Sequence, residues 1–175
     1  YLPADAPADA NADAAAGSQL FVFSARSGDR LRAVVQQTLQ RLGRGEPVAL
    51  ADLAHTLQIG REAMDERLAL VAATRAELCD GLQAWLDGRV HADLPLCRGT
   101  AEADRPSDAA AEALVAARDL TGLARHWVAG GGVPWAQLHA SHAVRRIVWA
   151  TYPFAPTVFL IDYEQGAPAG PDLAT

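Results

Sequence analysis

The chain has no lysine, one methionine, two cysteines, few aromatics and no long apolar run. Each shortage excludes something. A membrane-crossing helix needs roughly 20 consecutive apolar residues, so a soluble chain is expected. Acidic residues outnumber basic ones and the formal net charge is -6, which repels a phosphate backbone unless a basic patch stands out. Nucleic acid is therefore not an expected partner. All fifteen basic residues are Arg, a bias that reads as gene composition, so Arg abundance by itself argues nothing. Cys79 and Cys97 have no metal-type spacing, and no basic stretch followed by an apolar core opens the chain. A reduced, cytoplasmic compartment is expected, with two free thiols favoured over a disulfide.

What is present suits one domain with polar ends. At 175 residues the chain is long enough to bury a core. Residues 1–18 are Ala, Asp and Pro with little to bury and read as a flexible linker, as do residues 165–175; linkers at both ends suggest a piece of a larger polypeptide. Leu20 to Ala25 reads as a buried strand. Ser27 and Asp29 open a helix whose stripe is Leu31, Val34, Val35, Thr38 and Leu42, stopped by Gly43 and Gly45. Leu50, Leu53, Ala54 and Leu57 mark a second helix ending near Gly60. Arg67 to Ala73 is a second strand. Thr74 and Glu77 form a capping box before Leu78, Leu82, Trp85 and Leu86. Val90, Ala92, Leu94 and Leu96 alternate as a third strand, which Pro95 confines to a sheet edge. The order β-α-α-β-α-β predicts an α+β fold, a small sheet with helices on one face. Beyond a polar loop, Ser107 can cap a fourth helix with Leu120, Leu123, Ala124 and Trp127 on one face, ended by Gly130 to Gly132.

Catalytic signals are missing as sets. Ser24 and Ser27 lack a nucleophile elbow, and Gly130 to Gly132 follows a helix and lacks a phosphate-loop ending. His139 and His142 have H-x-x-H spacing, but further metal ligands are missing. His55 and His126 read as residues at the edge of the core. No cofactor, metal or catalytic set is expected; a rival reading is a small enzyme or acyl-binding domain using His139, His142 or Cys97. Gln58, Gly60 and Arg61 read either as a turn lock or as a recognition patch. Arg145 and Arg146, beside Trp149, Tyr152 and Phe154, suit a protein interface, where Arg and aromatics are enriched. Pro153 and Pro156 hold that stretch extended, so it should anchor on another surface.

Four pieces occur in order: LFVFSARS at 20–27, DLAHTLQIGREAMDERLAL at 52–70, Trp127 and Gly130 with Pro134 and Trp135, and RRIVWATYPF at 145–154. Together they resemble the linker that follows the ketosynthase in modular type I polyketide synthases. The resemblance implies an adaptor at residues 19–98 with a three-stranded antiparallel sheet, and a post-acyltransferase linker at residues 109–164 whose extended tail wraps back. Only the loop at 99–108 stands where a cis-acyltransferase would be inserted, which resembles modules served by a trans-acting acyltransferase. The function so implied is a noncatalytic scaffold or docking domain, or a purely structural spacer. Its partners would be the ketosynthase of the same polypeptide, a trans-acting acyltransferase and an acyl carrier protein. Two departures stand out: Trp149 and Ala150 replace an aliphatic residue and a proline, and Thr157 to Ile161 replaces an aromatic pair. Partner-interface candidates are Arg61, Arg145, Arg146, Trp149, Tyr152 and Phe154.

Overall fold

The structure, a computed structural model, describes residues 17–60, 62–101 and 104–149. Along the chain come β1 (Gln19–Ala25), α1 (Gly28–Gly43), α2 (Leu50–Ile59), β2 (Glu66–Ala72), α3 (Arg75–Leu86), β3 (Leu96–Thr100), α4 (Asp108–Ala116), α5 (Leu120–Val128) and α6 (Trp135–Leu138). The strands make an antiparallel sheet in the order β1-β2-β3. Leu70 sits at its centre, opposite Phe21 on one side and Leu96 on the other.

Helix starts follow local chemistry. The Ser27 hydroxyl accepts from the Arg30 N–H, and Asp29 lies in the first turn of α1, where a carboxylate faces the positive end of the helix dipole. Thr74 caps α3 by accepting from the Glu77 N–H at 3.2 Å, and the Glu77 carboxylate returns to accept from Ala73 at 2.7 Å. The predicted stripe of α1 is buried: Leu31, Val34, Val35, Thr38 and Leu42.

Helices cover both faces of the sheet, which overturns the expectation of one covered face. Side chains alternate across a strand. Leu70 meets Gly81 of α3, and α1 packs on α3, so these helices share one face. Arg67 points the opposite way and donates to the Trp127 carbonyl of α5 at 2.8 Å. Its partner across the ladder, Gly99, lies so close to the Val128 carbonyl that a β-carbon there would come within 2.8 Å. The reason is visible in β2, whose residues from Arg67 to Ala72 are all buried: a near-continuous apolar run marks a strand covered on both sides. α2 packs chiefly along β1.

Two further expectations are corrected. The third strand is Leu96–Thr100, not the stretch around Val90 to Leu96. Val90 is 96% exposed, and the alternation before Pro95 belongs to a turn region. Pro95 precedes the strand and uses only its carbonyl, which accepts from Val71 at 3.0 Å. The polar loop accordingly starts after Thr100 and not at residue 99. The fourth helix is in fact two, because Arg118 adopts a φ of 50°, and Asp119 recaps the chain by accepting from the Gly122 N–H at 2.9 Å. Ser107 occupies the N-cap of α4 without a side-chain bond. Cys79 and Cys97 are free and half-buried, and burial raises both thiols above their ordinary pKa. Among the described residues no helix is long and apolar enough to cross a membrane.

Candidate functional site

Residues 143–149 run without regular structure and lie along α2 as a strap. Two polar side chains on α2, one turn apart, receive it. The Asp52 carboxylate accepts from the Arg145 N–H at 2.7 Å, and the Thr56 hydroxyl accepts from the Ile147 N–H at 3.0 Å. Two residues further on, Trp149 is 8% exposed, with the Arg41 guanidinium 3.8 Å from its ring centroid. Arg41 is itself held by Glu46, which accepts from Nε at 3.1 Å and from Nη2 at 2.7 Å. A cation over an indole face is attracted by the ring quadrupole, so α1 clamps the end of the strap. Arg145, Arg146 and Val148 are all exposed, Val148 at 94%.

A second tie fastens the C-terminal end of α2, two residues beyond Thr56. Gln58 is buried; its Nε2 donates to the Leu20 carbonyl at 2.8 Å, and its Oε1 is hydrogen-bonded to Nε2 of His139. An amide oxygen only accepts, so His139 carries its proton on Nε2. The His55 ring meets His139 edge-on, with centroids 4.8 Å apart. Burial first, then the neighbouring His55, His142 and Arg118, lowers the His139 pKa from the ordinary 6.5 to about 4. This ring is neutral at neutral pH and structural in its bonding. His126 is likewise tied inward, its Nε2 at 3.0 Å from the Gly132 carbonyl. Gly131 passes so close to that ring that a β-carbon would collide with it.

Of the predicted interface residues, Arg145 and Arg146 are exposed, whereas Trp149 is buried within the chain. Arg61, Tyr152 and Phe154 lie outside the described residues. Gln58, read with Gly60 and Arg61 either as a turn lock or as a recognition patch, joins α2, β1 and the segment after α6. His139 and His142 do not act as a pair: His142 is exposed and its Nδ1 contacts the neighbouring Ser141 hydroxyl at 3.2 Å. Cys97 stands in β3. Among the described residues no cluster of three or more His, Cys, Asp or Glu could hold a metal ion. Sequence reasoning missed Asp52, Thr56 and Arg41 as strap receptors. The one signal, for Asp52 and Thr56 alone, is a pair of polar residues spaced four apart on a helix rich in buried residues.

The described residues thus form a sheet packed on both faces with a strap fastened along one helix. Residues 22–89 match the family described as RhiE-like, KS-MAT linker domain. Polyketide synthase PksR of Bacillus subtilis strain 168 is 37% identical over 152 residues, which is 79% of this chain and 6% of PksR. Polyketide synthase ThaG of Burkholderia thailandensis is 35% identical over 144 residues, 78% of this chain and 2% of ThaG. The solved ketosynthase from module 6 of the bacillaene synthase of Bacillus subtilis 168 matches with a TM-score of 0.71 at 30% identity, over 79% of this chain and 26% of that one. The chain belongs to the ketosynthase-to-acyltransferase linker family of modular polyketide synthases. It spans only a small part of the length of these relatives.

Proposed function

We propose that this domain is a noncatalytic scaffold that fixes a ketosynthase of the same polypeptide relative to its neighbours. The observation that carries the reading is the strap: backbone bonds to Asp52 and Thr56 and the Arg41–Trp149 clamp hold the chain in one path across the domain. A solved ketosynthase chain in which a unit of this fold makes up about a quarter of the length supports a ketosynthase as the neighbour. Arg145, Arg146 and Val148 are then exposed residues available to it, with Arg61, Tyr152 and Phe154 as further contact candidates. The contribution to chemistry is effective concentration, since tethering makes acyl delivery a local event.

The same scaffold offers a docking face to a trans-acting acyltransferase and, through it, to an acyl carrier protein. The short connection between β3 and α4, where a cis-acyltransferase would stand, favours that extension. Mixing the full chain with the parent ketosynthase and with a trans-acting acyltransferase, each followed by native mass spectrometry, tests both parts. A complex with the ketosynthase that is weakened by Arg146→Glu together with Val148→Asp supports the scaffold reading; no complex with the ketosynthase overturns it. Absence of an acyltransferase complex reduces the domain to a spacer. Thioester hydrolysis that depends on His139, His142 or Cys97 would instead establish the enzyme reading.

A further inference from the structure

A cleft of about 790 Å³ opens beside the strap, with Arg67, Arg105, Trp127, Trp135 and Arg146 among its lining residues. Arg67 is 5% exposed. Its guanidinium donates to two carbonyls, Met64 and Trp127, each at 2.8 Å, and its carbon lies 5.0 Å from the Trp127 ring centroid. None of these partners carries a negative charge. Among the described residues no carboxylate forms an ion pair with Arg67, Arg105 or Arg146. Glu62, the carboxylate on the same lining, pairs with none of them. The neighbouring charge that acts most strongly on Arg67 is another cation: after burial, Arg105 depresses its pKa, against a smaller opposite pull from Asp65.

Buried charges are normally paired, because an uncompensated ion in a low-dielectric site is costly. Here a buried guanidinium lines a cleft with two exposed guanidinium groups, and Glu62, the carboxylate on that lining, is ion-paired with none of them. A chain with a net charge of -6 does not lack carboxylates, so the local imbalance is specific to this place. We propose that the cleft is a receptor for an oxyanion, a carboxylate or a phosphate ester, carried on an apolar stem. Arg67 and Arg105 bind the anion through charge-assisted hydrogen bonds, which are the strong ones. The indoles of Trp127 and Trp135 take the stem, and Arg146 closes the rim from the strap. Nothing in this assignment depends on a ketosynthase partner.

The test uses the full chain and two probes, inorganic phosphate and succinate, with thermal melting and tryptophan fluorescence as readouts and chloride at matched ionic strength as the control. The expected result is a saturable rise in melting temperature with at least one probe and none with chloride. Arg105→Gln is expected to weaken that probe about tenfold, the scale of one lost charge-assisted bond. Because it also removes a like charge beside Arg67, the unliganded variant should melt no lower than the parent. Arg67 ties the Met64 and Trp127 carbonyls together and is left in place, so Arg105→Gln and Arg146→Gln carry the test. Stronger binding of phosphate assigns a phosphate ester as the source, and stronger binding of succinate a carboxylate. Equal effects of chloride, or an undiminished response in both Arg variants, would overturn the site.

Discussion

Leu70 and Trp149 are both buried, but their surroundings differ in kind. Leu70 is fully enclosed, with Phe21 and Leu96 across the ladder and Gly81 of α3 against it. Trp149 lies under a guanidinium at the end of a strap whose other ties are a carboxylate and a hydroxyl. The sheet is stabilised by apolar area removed from water, which salt and mild pH change little. The strap is stabilised by two polar contacts to α2 and by one buried ring at its end. Such a segment opens on its own at a lower free energy than the core, so the domain can keep its fold while its strap is released.

The largest effect expected is from Leu70→Asp, which places an unpaired charge at the centre of the sheet and should cost about 4 kcal/mol or more, enough to abolish cooperative folding. Circular dichroism melts check it; an unshifted cooperative melt would show that the core lies elsewhere. Trp149→Ala comes next. Losing the buried ring should weaken the strap by ~1.5 to 3 kcal/mol, read as faster hydrogen exchange at the Arg145 and Ile147 amides with the Phe21 and Leu70 amides unchanged. If core and strap amides speed up together, the two regions are one cooperative unit. Trp149→Phe keeps a ring for Arg41 and discards an indole N–H that has no partner among the described residues; it should retain most of the protection.

A pH series probes the Gln58–His139 tie at the C-terminal end of α2. The folded-state pKa of His139 lies near 4, below its ordinary 6.5, so the unfolded chain binds the proton more readily. Its contribution is present above about 6.5 and is lost as the pH falls from there towards 4. Melting temperature should decline through that window, and His139→Gln should flatten the decline; an equally steep decline in the variant would remove His139 as the cause. The smallest effect is expected from Thr56→Val, which deletes the acceptor for the Ile147 N–H and should cost the strap about 0.5 to 1.5 kcal/mol. Exchange at that single amide measures it, and no change would mean that Asp52 and Arg41 hold the strap without it.

Much of the sheet region was legible because its signals are local. Ser27, the Thr74–Glu77 box and the stripes of α1, α2 and α3 depend on residues within a few positions of one another. β3 was misplaced because what makes it a strand is remote: Gly99 admits the Val128 carbonyl, and Glu66 pairs with Arg98 at 3.8 Å and with the Thr100 hydroxyl at 3.2 Å. The turn before it happens to alternate. The break at Arg118 was hidden by apolar residues that continue the helical stripe across it. Trp149 was expected as an anchor, while the stretch that Pro153 and Pro156 should hold extended lies outside the described residues; the receptors were not expected, since Asp52 and Thr56 look like ordinary solvent-facing helix positions. Arg67 gave a signal that was passed over, a charged residue at the head of an unbroken apolar run.

The strap seam also has a built-in length limit. Two residues of extended chain advance about 6.6 Å, while four residues of helix advance about 6 Å. One step of each is nearly commensurate, which lets Arg145 and Ile147 find Asp52 and Thr56. Each further step would drift by more than half an ångström, like two rulers with different graduations. The next mark on the helix is Gly60, which has no side chain to offer. The third anchor, Trp149, is taken up instead by Arg41 from a different helix, and inserting a single residue between Ile147 and Trp149 would leave both rulers intact while separating the ring from its clamp.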